Sequence, residues 1–405
     1  MKIPFLIEKT IIVLITILLS VNGCSNDKNP KNYLEKVLNN LNQIESATYY
    51  TKSEGWAPGD TSAYIIFHSY VKEYNNPLDT TIGASFVRLE QEDTTKLMFC
   101  YDGNMRTLIN HNEKRIVLDS FIVRPLPFRP LSPPFFNFTK NILRYILETG
   151  DSISLEFEDL KDSVYLRLTI YVDKQVEFFG KAHYMPNSPY NYGETTSRYE
   201  LWINKSNDLP YKVRREMSHD IIVITCKNVE LNRIKIEDFN ASDYFPSDYS
   251  IQAYRFGRKK VKKNDLVGKI APNWSLKDVN NKIVSLEELQ SKVLMIQFTS
   301  VSCGPCRASI PFLKQLALDY KKEKFDLVAI ESFNENSNVL RNYQNRNDFK
   351  YKFLMSTKDI TESYQIKSTP VFFILDENRV IRKVINGYGK DTTDKKIRNF
   401  IDGLI

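Results

Sequence analysis

In "YLEKVLNNLNQI" the apolar residues Leu34, Val37, Leu38 and Leu41 recur three and four apart. That spacing predicts an amphipathic helix at the start of the folded chain. The period then falls to two. Ile153, Leu155 and Phe157 alternate with polar neighbours in "SISLEFEDL", and Val164, Leu166, Leu168, Ile170 and Val172 do so in "SVYLRLTIYVD", with Asp162-Ser163 as the turn between them. "RYELWINKSNDLPYKVRREM" reads as strand, Asn-Asp turn, strand, and "DIIVITCKNVELNRI" continues the meander. Residues 33–255 are therefore expected to form a mainly antiparallel sheet with one apolar face, closed by the opening helix or another segment. Two segments interrupt it. "VRPLPFRPLSPPFFNF" and the tyrosine-rich "HYMPNSPYNYGETTSRY" are either a lid or apolar binding surface over the sheet, or long connections that pack their own aromatics.

From Val267 to Ile405 the pattern changes to strand alternating with helix. "VLMIQF" (293–298) and "FDLVAI" (325–330) are short buried strands, and "VFFILDENRVIRKVI" is two strands around an Asp-Glu-Asn turn. Between the first two, Ile310, Leu313, Leu316 and Ala317 share a helical face; at the end Ile397, Phe400, Ile401 and Leu404 share another. A basic stretch within residues 256–266, "RKKVKKND", separates the two patterns as a solvated linker or a contact with an anionic membrane surface.

A chain of 405 residues exceeds one ordinary core and fits this two-domain division. With 42% hydrophobic residues, 26% charged and 14 glycines, it is globular rather than disordered. The net charge of +7 is small for the length and its basic residues are scattered, which argues against nucleic-acid binding. Lys2 and Lys9 precede an apolar run from Ile11 to Leu19, too short to span a bilayer and expected to be the core of an export signal. "LSVNGC" resembles the lipobox of bacterial lipoproteins. The resemblance implies a signal peptide over 1–23, lipid on Cys24, a tether over 24–32 and a place in the cell envelope, lipid-anchored to a membrane and facing the periplasm. An uncleaved anchor and a soluble exported protein are the alternatives. Asn22 is unusual in such a box.

The chemistry concentrates in "FTSVSCGPCRASIPFLKQL" (298–316), where Cys303 and Cys306 flank Gly304-Pro305. A strand running into a helix puts Cys303 at the helix amino end, where unpaired N–H groups and the helix dipole favour a thiolate. Cys306 lies one turn deeper within disulfide distance, and Gly304 and Pro305 suit the tight first turn. Cys303 would attack a substrate disulfide and Cys306 would resolve the mixed disulfide, with no cofactor beyond the dithiol itself. A zinc site needs four ligands, but residues 264–405 hold two cysteines and no histidine. In "IKSTPVFFILD", Pro370 stands directly before a strand, and a cis Thr369–Pro370 bond would explain it.

These motifs in order resemble the TlpA/ResA branch of thioredoxin-like proteins over residues 265–405. "VGKIAPNWSLKDVNNKIVSLEELQSKVLMIQF" is similar to that family's opening hairpin, "CGPCRASIPFLKQL" with its mid-helix Pro311 to the active-site helix, and "STPVFFILDENRVI" to the cis-proline loop. The resemblance implies an α/β thioredoxin-like fold. It also implies an exported, membrane-tethered thiol–disulfide oxidoreductase that acts on disulfide-bearing exported proteins, with electrons from a membrane thiol carrier. Ser302 stands where the family has tryptophan, which should alter partner recognition. Gln297 stands where thioredoxin has a buried aspartate, six residues before the first cysteine. Some relatives instead use a glutamate after the next strand; here Glu331 or Glu335 would qualify, though both are expected on an exposed loop. Residues 33–250 resemble, more loosely, the LolA/LolB half-barrels through "CYDGNMRTLINHNEKRIV", "LWINKSNDLPYKVRREM" and "KNVELNRIKIEDFNASDYFP". Two other readings follow: a lipid- or polypeptide-binding lipoprotein whose dithiol services the ligand, and a peroxiredoxin-like peroxidase. Against the latter, Ser300 stands where peroxiredoxins have threonine. Cys100 and Cys226 fall in strand patterns, as packing thiols or as a disulfide with each other.

Overall fold

The computed structural model describes residues 30–56, 62–122, 131–172, 174–176, 178, 183–184, 196–217, 220–255 and 265–405. The export signal, Cys24, half of the proline-rich segment, the greater part of the tyrosine-rich one and the basic run 256–264 lie outside the described residues.

Helix α1 (Pro30–Asn42) opens the front unit and buries Tyr33, Leu34, Val37 and Leu41, the expected stripe with Leu38 at its margin. The strands that follow are β1 (Ser46–Trp56), β2 (Ile65–Asn75), β3 (Ala84–Glu90), β4 (Leu97–Tyr101), β5 (Arg106–Asn110) and β6 (Arg115–Asp119). After helix α2 (Phe135–Glu148) come β7 (Ile153–Asp159), β8 (Ser163–Ile170), the short pair β9 (Lys174–Gln175) and β10 (His183–Tyr184), then β11 (Ser197–Asn204), β12 (Leu209–Glu216), β13 (Ile221–Leu231) and β14 (Ser250–Ala253). Twelve of them form one open sheet in the order β14-β6-β5-β4-β3-β2-β1-β13-β12-β11-β8-β7, antiparallel throughout except for the β14–β6 pair. The β-rich front domain with a leading helix is thus as expected, and its sheet is not closed.

Two particulars differ. The strand expected to run to Val172 ends at Ile170, so Val172 is exposed. The proline-rich interruption also ends in a helix, α2, for which no periodicity was expected. Its polar residues Asn137, Thr139, Lys140 and Asn141 are buried along with Phe135, Phe136, Phe138, Ile142 and Leu143. They are tolerated because they are paired. The amides of Asn137 and Asn141 donate to the Ile82 carbonyl, and Lys140 Nζ donates to Asn75 Oδ1. Glu73, buried on β2, holds the start of this helix. Its carboxylate accepts from the Tyr49 hydroxyl at 2.5 Å and from the backbone N–H groups of Phe136 and Asn137 at 3.1 and 2.6 Å. These are donors that a helix leaves unpaired at its first turn. Helices α1 and α2 cover the inner face of the sheet around Tyr49, Leu166, Tyr199, Leu201 and Val213.

The second unit contains β15 (Ser275–Asp278), β16 (Ile283–Ser285), β17 (Val293–Thr299), α3 (Gly304–Asp319), β18 (Phe325–Glu331), α4 (Ser337–Asn347), β19 (Lys352–Met355), α5 (Lys358–Ser363), β20 (Val371–Leu375), β21 (Ile381–Asn386) and α6 (Thr392–Asp402). The sheet order is β16-β15-β19-β18-β17-β20-β21; β17, β18 and β19 are parallel, and the other pairs antiparallel. All seven residues of β17 are buried, as a central strand covered on both faces requires. One apolar cluster joins this sheet to α3, α4 and α6 through Leu313, Leu340 and Ile397, and a second fills the other face around Trp274, Phe298 and Phe373. This is the expected thioredoxin-like α/β architecture. The two units touch at Tyr64, just before β2. Its side chain packs against the first cluster, and its carbonyl accepts from Asn334 Nδ2 at 3.4 Å.

Candidate active site

The carboxyl end of β17 and the amino end of α3 bring the cysteines together. Cys303 is the N-cap of α3, with extended backbone, and its Sγ accepts from the Cys306 N–H at 3.1 Å. An electron-rich atom at this position meets donors that the helix cannot satisfy internally. Gly304 and Pro305 form the first turn, and Cys303 and Cys306 are joined as a disulfide with their Cα atoms 5.2 Å apart. Exposure divides the pair: Cys303 is partly accessible, whereas Cys306 is 1% exposed. Exposure thus separates a sulfur that a substrate can reach, Cys303, from one that it cannot, Cys306. Pro311 lies inside α3, where its missing N–H leaves the carbonyl of Arg307 without that helical partner.

Across from the pair, the Thr369–Pro370 bond is cis and Pro370 is buried. The Thr369 carbonyl oxygen lies 3.5 Å from Cys303 Sγ, placed to accept from the thiol once the pair is reduced. Ser302, at the tryptophan position, is exposed, and its Oγ is 3.1 Å from Ser300 Oγ. Gln297 is buried on β17 and donates to Ser309 Oγ at 2.9 Å, and Ser309 in turn donates to the Cys306 carbonyl at 2.6 Å. The amide therefore supports the backbone under Cys306 through a neutral relay.

The charged group that the sequence misplaced is Glu331. Expected on an exposed loop, it is instead the last residue of β18, 1% exposed. Its Oε2 accepts from the Val301 N–H at 2.8 Å, and Oε1 from the N–H groups of Phe333 and Asn334 at 3.0 and 3.1 Å. Burial pushes this carboxyl up to about 7, against the opposing pull of those three N–H groups and the Ser300 hydroxyl. One carboxyl thus clamps the segment leading into Cys303 to the loop after β18. Glu335, by contrast, is exposed as expected. A signal for Glu331 was present in "FDLVAIE", where a carboxylate directly continues an apolar buried strand.

Cys100 and Cys226 are buried free thiols on β4 and β13, so the expected disulfide alternative between them is set aside. Burial pushes the Cys100 thiol up to about 12 and Cys226 higher still, and neither is primed for exchange. Among the described residues no group of three or more histidine, cysteine or acidic side chains is arranged to hold a metal ion.

Residues 266–401 match the Redoxin family model. The thioredoxin-like protein YneN of Bacillus subtilis is 29% identical over 119 residues, which span 29% of this chain and 69% of that protein. The thiol-disulfide oxidoreductase ResA of Bacillus cereus is 27% identical over 128 residues, spanning 31% and 73% respectively. Among solved structures, a DsbE-type thiol:disulfide interchange protein from Chlorobium tepidum aligns at 21% identity and a TM-score of 0.32, covering 34% of this chain and 98% of that one.

Proposed function

We propose, from a C-terminal domain that belongs to the Redoxin family, that this chain is a membrane-anchored, exported thiol–disulfide oxidoreductase that works through Cys303 and Cys306. The observation that carries the reading is the asymmetric pair: one accessible sulfur at a helix N-cap, one buried sulfur a turn deeper, and a free backbone carbonyl at Thr369 facing the first.

The chemistry balances on the residues present. In the reduced protein, the Cys303 thiolate attacks one sulfur of a substrate disulfide. An S–S bond forms to Cys303, and the other substrate sulfur leaves as a thiolate. Cys306, deprotonated, then attacks Cys303 Sγ, which closes the Cys303–Cys306 disulfide and releases the second substrate thiolate. The substrate gains two electrons and the protein loses two. A membrane thiol carrier would restore the dithiol by the reverse exchange. The N–H of Cys306 directed at Cys303 Sγ stabilises the attacking and leaving thiolate.

Ser302 leaves the surface beside Cys303 polar where an indole would supply an apolar contact, so substrate selection must come from elsewhere on the chain. The lipid on Cys24, facing the periplasm, would hold the protein where exported disulfides form. The test is a Cys306→Ser full-length variant, which should accumulate mixed disulfides on Cys303 when supplied with oxidised peptide. Their absence by intact mass spectrometry, with Cys303 shown to be free and reduced, would overturn the proposal.

A further inference from the structure

The inner face of the front sheet is covered by α1 and α2 only part of the way along β1 and β2. Beyond Phe138 it opens into a cavity of about 210 Å³ whose walls include Tyr64, Ile65, Phe67, Phe138, Ile222 and Arg88. Ile65 and Phe67 point inward by strand parity with the buried Ser69 and Val71, yet Phe67 is 47% exposed. An apolar strand end left uncovered beside a cavity is a candidate contact surface.

Three charged groups line this cavity, and they differ. Glu54 is paired with Lys52, and Arg215 with Asp220. Arg88 has no carboxylate within ion-pair distance among the described residues. Its Nη2 donates to the carbonyls of Ser132 and Pro133, and burial depresses its basicity. The buried carboxylate of Glu73 acts on Arg88 without pairing with it and is itself engaged by Tyr49 and the N–H groups of α2, so this guanidinium, outside any ion pair, is suited to receive a further carboxylate.

The cavity is also connected to the redox site. The Tyr64 carbonyl in its wall accepts from Asn334, the Asn334 N–H donates to Glu331, and Glu331 accepts from Val301, two residues before Cys303. With its three hydrogen bonds of 3.4, 3.1 and 2.8 Å, the side chains between them and two residues at ~3.6 Å each, this path keeps the wall within about 25 Å of Cys303. An extended polypeptide crosses such a gap in about six to eight residues at ~3.3 Å each. The cavity is smaller than the ~300–1,000 Å³ of sites that enclose a whole small molecule, and so fits a single large side chain.

We propose that this cavity is a substrate-anchoring subsite of the redox site. In this view, an extended polypeptide with its disulfide at Cys303 seats an aromatic side chain among Phe67, Phe138 and Ile222, with a neighbouring carboxylate on Arg88. The inference rests on the redox reading above and supplies the selectivity that Ser302 does not.

The test uses the reduced full chain and two synthetic disulfide peptides. One carries Asp-Phe about six residues to either side of the reacting cysteine, and the other carries Asn-Ser at the same places. Oxidised glutathione serves as the small control substrate. The Asp-Phe peptide should show a KM about tenfold lower, equivalent to ~1.4 kcal/mol. Phe67→Ser and Arg88→Met should each remove that advantage while glutathione reduction stays unchanged; Phe67 is exposed enough for its variant to keep the fold. Equal KM for the two peptides, or an equal loss toward peptide and glutathione in the variants, overturns the inference. Palmitate retained by the cavity in native mass spectrometry, without any effect on peptide KM, also overturns it in favour of a lipid site. Wild-type failure to reduce glutathione sinks the redox reading itself, whereas intact glutathione reduction with indifferent peptides sinks this inference alone.

Discussion

Replacing Glu331 by glutamine removes a buried ionisable group from the segment that leads into Cys303. Its carboxyl sits at about 7 in the folded protein against 4.5 for a free glutamate. Between these values the folded chain holds a proton that the unfolded chain has released, so stability declines as pH rises through this window. It is highest below pH ~4.5 and fully reduced above pH ~7. At ~1.36 kcal/mol per pH unit, the loss is on the order of 3 kcal/mol. Glutamine has one acceptor oxygen for three backbone N–H groups, so Glu331→Gln should cost ~1–3 kcal/mol through unpaired donors at any pH while abolishing the slope. Urea unfolding of the full chain measures this, with Trp56→Phe and Trp202→Phe introduced so that the fluorescence of Trp274 reports the second domain alone. Wild type in that background should lose ~3 kcal/mol more than Glu331→Gln between pH 4.5 and 8. A difference between the two proteins that stays constant over that range would refute both the raised carboxyl and its attribution to burial.

Other expectations follow from the same contacts. Gln297→Leu removes the donor to Ser309 and should lower stability by about 1 kcal/mol in urea unfolding, whereas Gln297→Glu should introduce a new acidic step in the pH profile of turnover. Glu73→Ala leaves the Tyr49 hydroxyl and two N–H groups of α2 without their acceptor, and should cost roughly 3 kcal/mol or more in the front domain, read by the fluorescence of Trp202. Metabolic labelling with palmitate in a bacterial host should mark the wild-type chain and not Cys24→Ala; no label on the wild type would remove the lipid anchor from the proposal.

What could be read in the chain depended on whether a residue's role was local. The alternation of Leu166, Leu168 and Ile170, and the helical spacing of Ile310, Leu313 and Leu316, report burial by one neighbouring layer, and periodicity exposes that directly. The cysteine pair and Pro370 were likewise visible because their positions follow from the ends of single elements. Helix α2 did carry a signal, Phe135, Phe138, Ile142 and Ile146 at helical spacing, but the proline-rich run leading into it reads as a connection; what the sequence does not show is the burial of Asn137, Lys140 and Asn141. Their partners, Ile82 and Asn75, lie more than 50 residues away. Glu331 failed for the same reason. A carboxylate at a strand end reads as solvent-facing until the fold brings the N–H groups of Val301, Phe333 and Asn334 around it. That Arg88 lines a cavity held by two backbone carbonyls rather than by an ion pair had no sequence signal at all, since it is a property of the assembled fold.

Reduction of insulin by the full-length protein, with dithiothreitol as the electron source, tests the central claim most directly. Wild type should accelerate precipitation of the insulin B chain, Cys303→Ser should fall to the uncatalysed rate, and Cys306→Ser should lose most of the wild-type rate, because its mixed disulfide must wait for dithiothreitol in place of the internal resolving thiol. Parental activity in Cys303→Ser would contradict the account.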